Sequence, residues 1–462
     1  DPTANFAYLV KSVTLDVFHK VVALRIPWVY SEAHPARSYP NGAVASNLVG
    51  FLGTDGPLAG VEATENSCLT GTNGTSTYQT SADRVPIPGS TVVEKAPVDG
   101  GAVQLTIVAA LQWYAQQTLA EQVAATGSKW GTAMVVRVKD GHIMADADYG
   151  NGDPNALTDD PNALNARSFT SPYEPGSVMK PATVAGLVDA GIVNASTPVD
   201  VPGSFTDGLP KGVKITDSYY HGDVHMTVAG VIMNSSNIGI AELTKLQSED
   251  ARYANLIKFG FGSKTAVNVN GQATGEVKTP AQADVVTRVT QQFGQGMTAT
   301  SAQVAQLYQT LGNDGVRMPL TLVEGCTKAD GTVTDTPSTT GTPVVKASTA
   351  QTVRQMMETV YQKGPSSKYL QIPGYRIAAK TGTAQVADPN THKYGKDYIV
   401  SVAGLVPADQ PQYAVIVTLA QPQTQKSSLA AAPGWKSIME QTIKTFRVPT
   451  STTPPPNVPV TW

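Results

Sequence analysis

A mixed α/β (α+β) fold, an antiparallel sheet flanked by helices with a helical subdomain set between early and late strands, is what this sequence predicts. Three observations carry it. Toward the carboxy end, "YRIAAKTGTAQV", "YIVSVAGLVP" and "QYAVIVTLA" have the length and alternation of consecutive antiparallel strands. Earlier, "TAMVVRVKDGHIMADADY" reads as two strands joined at "KDG", a hairpin signal. Between the two groups the apolar residues recur at helical spacing.

Taken in order, residues 1 to 99 are rich in Gly, Thr, Ser and Pro and form a small, loop-rich module. Within it, Gly42 to Val49 has a helical pattern ended by Gly50. "PIPGSTVVEKAPVDGG" then punctuates the chain, which places a boundary near Gly100. A short strand follows, and then a helix with Leu111, Tyr114, Leu119 and Val123 on its apolar side. "DPNALT" and "DPNALN", starting at Asp153 and Asp160, are a local duplication in a polar loop. "TVAGVIMNSSNIGIAELTKLQ" reads as one helix with Thr227 as N-cap. "TATSAQVAQLYQTLGNDG", "KASTAQTVRQMMETVYQKG" and "GWKSIMEQTIKTF" are three more helices. The Pro- and Thr-rich tail, 448–462, is expected to be extended or disordered.

The bulk properties exclude several function classes. Over 462 residues, 41% are hydrophobic and 15% charged, which suits a globular protein of more than one domain. A net charge of −3 leaves no electrostatic footprint for nucleic acid. No apolar run is long enough to span a membrane and no signal-peptide pattern is read, but the abrupt start "DPTANFAYLVKSV" leaves a membrane anchor open. Cys68 and Cys326 lie in no C-x-x-C arrangement, so they are either one disulfide or two separate thiols.

Chemistry concentrates in three short segments. In "YEPGSVMK", Ser177 and Lys180 stand three residues apart where a loop turns into a helix, so both can face one side. A neutral Lys180 amine could take the Ser177 proton and make the hydroxyl a nucleophile. An isolated pair of this kind is more often a helix cap beside a solvated lysine. "MNSSNIG" adds Ser235 and Asn237 in a predicted helix, and "AAKTGTA" adds Lys380, Thr381, Gly382 and Thr383 on a predicted strand. Each of the three patterns occurs once in the chain.

S-x-x-K, then S-x-N, then K-T-G resembles the signature set of penicillin-binding proteins and class A β-lactamases. "FGQGMTAT" and "KTGTAQ" extend the resemblance to a penicillin-binding transpeptidase domain over residues 100–447. "RSYPNGAVASNLVGFLG" and "GPLAGVEATENSCLTG" resemble part of the amino-terminal pedestal or dimerisation module of class B members, which assigns 1–99. "RSYPNGAV" and "PPPNVPV" point to the septal type of actinobacteria. The implied fold is the penicillin-binding/β-lactamase-like transpeptidase fold. The implied activity is D,D-transpeptidation of peptidoglycan stems ending in D-Ala-D-Ala through a serine acyl-enzyme, with β-lactams as trapped substrate mimics. Implied roles are Ser177 as nucleophile and Lys180 as base, with Lys380 and the helix N-terminus lowering the Lys180 pKa. Asn237 would orient that amine and Ser235 relay a proton to the leaving group. The Ser177 and Thr383 N–H groups would form an oxyanion hole. Lys380, Thr381 and Thr383 would hold the substrate carboxylate, with Gly382 admitting the ligand to the strand. No cofactor or metal is implied. A polytopic membrane glycosyltransferase and other division proteins are the implied partners. The extracytoplasmic face of the cell membrane is the implied location, with a single-pass amino-terminal anchor. Alternatives within the same chemistry are a D,D-carboxypeptidase or β-lactamase-like hydrolase, or a non-catalytic β-lactam-binding scaffold or sensor.

Three further features stand out in the chain. "HGDVH", with His221, Asp223 and His225, has metal-ligand residue types, but Gly222 argues against the helix that would align both imidazoles. Asn73, Asn194 and Asn234 begin N-x-S/T triplets that read as chance matches. "SFTDGLPKGVKITDSYYHGD" reads as an ordinary surface loop sooner than as a rim of the cleft, and "VADPNTHKYGKD" either gates substrate or simply joins its two strands.

Overall fold

A computed structural model describes residues 6–10, 13–31, 37–53, 56–82, 85–156, 165–387 and 394–462. Its centre is a five-stranded antiparallel sheet. β1 (Trp130–Arg137) and β2 (Ile143–Asp148) are the expected hairpin. β3 (Ala378–Ala387), β4 (Tyr394–Val406) and β5 (Tyr413–Ala420) are the three consecutive strands near the end. The order across the sheet is β3-β4-β5-β1-β2, so the first hairpin pairs with the last strand. β1 and β5 are almost continuously apolar because helices cover both faces.

On one face lie α1 (Ala109–Thr126) and, at the far end of the chain, an amphipathic helix over Ala432–Phe446. Leu111, Leu119 and Val123 of α1 meet Trp435 and Ile438 over Val415 and Val417 of β5. The Trp435 indole is fully buried and donates to the Val415 carbonyl at 2.9 Å, so its polar edge is satisfied. Tyr114, expected on the apolar side, is only half-buried.

The other face carries the helical subdomain: α2 (Lys180–Asp189), α3 (Val228–Asn234), α4 (Asn237–Thr244), α5 (Ser301–Gly312) and α6 (Ala347–Lys363). Every residue of α5 is buried, which makes it the hydrophobic axle between sheet and subdomain. Thr300 caps it with a full capping box through Gln303.

The single helix expected from Thr227 to Gln247 is two helices. Thr227 does cap the first, accepting from the Gly230 N–H at 3.1 Å. Ser235 then adopts a left-handed conformation, φ 57°, and Ser236 caps α4 by accepting from the Gly239 N–H at 2.8 Å. A left-handed non-glycine residue costs about 1–2 kcal/mol. The new cap and the contacts of Ser236 described below offset that cost.

The first hundred residues form short pieces: paired strands Phe51–Gly53 with Gly56–Ala59, and Thr75–Thr77 with Val92–Lys95. The expected helix from Gly42 is helical only over Ser46–Val49, because Ala45 is left-handed, φ 55°, and the residues before it form turns. Gln116 of α1 fixes this segment through the Ala45 N–H and Ala43 carbonyl. Cys68 and Cys326 are joined in a disulfide, which answers the open choice between bridge and free thiols. The tail is extended and docked rather than disordered. Thr227 donates its N–H to the Val460 carbonyl at 3.2 Å and its hydroxyl to that of Pro459 at 2.6 Å, and Val458 is buried. Of the duplicated loop, residues 157–164 lie outside the described residues.

Candidate active site

The sequence places Ser177 in a single 3₁₀ turn, Gly176–Met179, that runs directly into α2. Pro181 is accommodated because amides of the first turn have no helical acceptor. Gly176 has φ 61°, and a Cβ there would sit 3.0 Å from the Ala384 Cβ and 3.3 Å from the Thr383 carbonyl oxygen. From the other side Gly294 approaches so closely that its Cβ would lie 2.2 Å from the Gly176 oxygen. The Gly176 N–H donates to the Gly294 carbonyl at 2.9 Å. The nucleophile turn is thus gripped between β3 and the "FGQGM" loop by backbone contact that side chains would prevent.

Ser177 is half-buried. Lys180, one turn on, is fully buried, and its Nζ donates to the Ser235 carbonyl and to Asn237 Oδ1 at 2.8 Å, with Ser235 Oγ at 3.3 Å. Lys380 arrives from β3, also fully buried, and donates to Ser235 Oγ at 2.7 Å and to the Thr381 carbonyl at 2.9 Å. Members of all three motifs therefore converge on one hydroxyl. The left-handed turn at Ser235 is what lets both its oxygens face Lys180.

The electrostatics follow from burial. Desolvation pulls the Lys180 pKa from its usual 10.5 to about 7, against the opposing pull of the Asp217 carboxylate. Lys380 is driven down by desolvation first and by the Lys180 charge second. The expected cause, Lys380 and the helix terminus acting on Lys180, is corrected to burial of the amine itself. A neutral amine has two N–H donors, which the Ser235 carbonyl and Asn237 Oδ1 can take up, and its lone pair is left for the third contact, at Ser235 Oγ, or for an incoming proton. No hydrogen bond joins Ser177 Oγ to Lys180 among the described residues.

The substrate-side residues are less uniform. Thr381 is half-buried, while Thr383 is exposed with its hydroxyl accepting from the Ser428 N–H at 3.2 Å. A Cβ on Gly382 would meet Val178 Cγ1 at 3.0 Å and the Pro175 oxygen at 3.3 Å. The space that this glycine leaves open is filled by the nucleophile turn, not reserved for a ligand as the sequence suggested.

Two residues escaped the sequence reading. Asp217 Oδ1 accepts the Asn237 N–H at 2.5 Å and the Ile238 N–H at 3.1 Å, and Oδ2 accepts the Ser236 hydroxyl at 2.6 Å. It fastens the start of α4 and thereby Asn237. Glu174 Oε1 accepts from the Gly296 N–H at 2.8 Å and the Tyr394 hydroxyl at 2.9 Å, and burial raises its pKa. Both lie in quoted segments, Glu174 in "YEPGSVMK" and Asp217 in "SFTDGLPKGVKITDSYYHGD", without a signal of their own. The two histidines of "HGDVH" separate: His221 Nε2 lies 3.0 Å from Asp217, and His225 Nδ1 lies 2.7 Å from Asp200. Asn194 accepts from the Ser196 N–H, an ordinary turn contact. Of the "VADPNTHKYGKD" loop, residues 388–393 lie outside the described residues.

The chain matches the penicillin binding protein transpeptidase domain family over residues 131–440. It is 34% identical to penicillin-binding protein PbpB of Mycolicibacterium smegmatis, over 99% of this chain and 72% of that protein. It is 30% identical to the peptidoglycan D,D-transpeptidase FtsI of Escherichia coli, over 97% of this chain and 74% of that protein. The crystal structure of penicillin binding protein 3 from Mycobacterium tuberculosis, complexed with aztreonam, superposes with a TM-score of 0.82 at 31% identity, covering 92% of this chain and 93% of that one.

Proposed function

Because the chain belongs to the penicillin-binding protein transpeptidase family, as a class B, septal-type peptidoglycan D,D-transpeptidase, we propose that Ser177 is its nucleophile and Lys180 the base that activates it. One observation carries this assignment: a buried, near-neutral Lys180 amine, one turn from Ser177, held by Ser235 and Asn237. Ser177 Oγ attacks the penultimate D-Ala carbonyl while its proton passes to Lys180. The Ser177 and Thr383 N–H groups hold the developing oxyanion. The C–N bond then breaks, the terminal D-Ala amine leaves with a proton relayed through Ser235, and an acyl-enzyme remains. An amine of a second stem attacks that ester and restores the Ser177 hydroxyl. A β-lactam follows the same first step, but its leaving amine stays tethered and the adduct persists.

Lys380, Thr381 and Thr383 take the substrate's terminal carboxylate in this reading. That carboxylate supplies the counter-charge which buried Lys380 lacks and favours its protonated form on binding. Gly382 serves by letting β3 close on the nucleophile turn.

The reading assigns 1–99 to a pedestal-type module, 100–447 to the transpeptidase domain and 448–462 to a docked tail. The Cys68–Cys326 bridge supports an extracytoplasmic site, where disulfides persist and peptidoglycan is assembled. A single-pass anchor belongs to this reading; among the described residues no helix is long and apolar enough to cross a membrane. A polytopic glycosyltransferase is the protein partner in this reading. The test is cross-linking of a stem-peptide donor to an amine acceptor. Transfer by the wild type and its loss in Ser177→Ala support the reading, and hydrolysis without transfer overturns it.

A further inference from the structure

The Asp217 carboxylate is saturated: two backbone N–H groups at the start of α4, the Ser236 hydroxyl and the His221 ring together supply four donors. The partner ring is equally constrained. His221 Nε2 faces Asp217 Oδ2 at 3.0 Å, and Nδ1 faces the Gly222 carbonyl at 2.6 Å. Both partners are pure acceptors, so only the doubly protonated imidazolium satisfies both nitrogens. The pair is well shielded, with side-chain exposures of 8% for His221 and 1% for Asp217.

We infer that Asp217 and His221 form an electrostatic rheostat for Lys180, in which Asp217 positions Asn237 and its charge is partly cancelled by the imidazolium. Asp217 is a positioning residue, acting through α4 and through space. The charged and titratable groups around the unit are few. Lys180 faces Lys380 from β3, the Asp217 carboxylate from the loop before α3, and the Phe293 ring at 5.9 Å. Asp217 faces Lys180, His221 and Tyr219; His221 faces Asp217, Asp223 and the Tyr219 ring. Among the described residues Asp217 is the one carboxylate that bears on Lys180, and it favours the charged amine. Burial lowers the His221 pKa, but the Gly222 carbonyl and the Asp217 carboxylate outweigh it and hold it above the free value.

The signs follow. With the imidazolium present, Asp217 is partly neutralised and Lys180 stays uncharged to lower pH. With it gone, Asp217 acts in full and Lys180 holds its proton longer. The inference rests on Lys180 being the base.

The experiment is the pH profile of the second-order acylation rate with fluorescent penicillin, with thermal melting as a check on folding. For His221→Gln, which keeps a donor to Asp217 but no charge, the acid limb is expected to move to higher pH by about one unit. For Asp217→Asn it is expected to move to lower pH, alongside a lower plateau from the loosened Asn237. Limbs that stay in place, or move the same way, overturn the inference and reduce both residues to scaffolding. If Asp217→Asn does not fold, His221→Gln alone decides: an upward shift supports the inference and an unmoved limb overturns it. A wild type with no acid limb near neutral pH overturns the Lys180 assignment itself and this inference with it.

Discussion

The Ser235 hydroxyl oxygen accepts a hydrogen bond from Lys380 Nζ at 2.7 Å, and the Lys180 amine reaches the same residue's backbone carbonyl. One left-handed residue thus holds two buried lysines, neither with a carboxylate in hydrogen-bond contact among the described residues. Burial of the amine gives Lys180 its low pKa, and most of the chemistry follows from it.

Replacing Lys180 tests its role as base. Lys180→Arg stays charged at any accessible pH and cannot accept the Ser177 proton. Acylation by penicillin is expected to fall by about 10²–10⁴-fold, the usual range for a lost general base. Stopped-flow or gel-based acylation rates read this directly, and a rate near wild type would exclude Lys180 as base.

The pH profile carries its own sign. Below a pKa of about 7 the Lys180 amine is protonated and has no lone pair. Acylation should fall about tenfold for each further unit of acidity, and level off above neutrality. Asn237→Asp would place a carboxylate 2.8 Å from the amine and move the whole limb to higher pH.

Gly294 offers a test of the backbone grip. Its φ is 85°, and a methyl group would lie 2.2 Å from the Gly176 oxygen. Gly294→Ala should cost about 1–3 kcal/mol in thermal or chemical denaturation and slow acylation, since the displaced turn carries Ser177. Gly191→Ala, also at positive φ but with open space around it, should carry the conformational cost without the catalytic loss.

The Cys68–Cys326 bridge spans 258 residues and ties the first module to the strand Val323–Thr327, which pairs with Ala102–Leu105. Removing it in a Cys68→Ala/Cys326→Ala double variant should lower stability by about 2–5 kcal/mol, measured by denaturant titration. Penicillin acylation of the folded fraction should remain, because neither cysteine touches the site.

Much of this was legible in the sequence, for identifiable reasons. Ser177, Lys180 and Lys380 stand in contiguous motifs, and the elements bearing them have clean periodicity: alternation along β3, Pro and Gly before α2. Ser235 was found but misplaced. "VIMNSSNIGI" keeps helical apolar spacing on both sides of the break, and the break is stabilised by Asp217, a loop residue with no periodic signature. Burial of Lys180 was equally invisible, because a lysine in the first turn of a helix is solvated in most proteins. By composition alone the tail is extended or disordered, and the extended alternative is the one the structure shows. Its docking depends on backbone partners at Thr227 that only the folded chain brings within reach. Pairing of Cys68 with Cys326 likewise needed the strand at Val323–Thr327 to be placed in space.

The most direct test of the central claim is the mass of the Ser177-containing peptide after penicillin treatment. The expected result is a gain equal to one intact penicillin on that peptide, persisting for many minutes and absent in Ser177→Ala. An adduct on another residue, or one that disappears within seconds as the drug is hydrolysed, would contradict it.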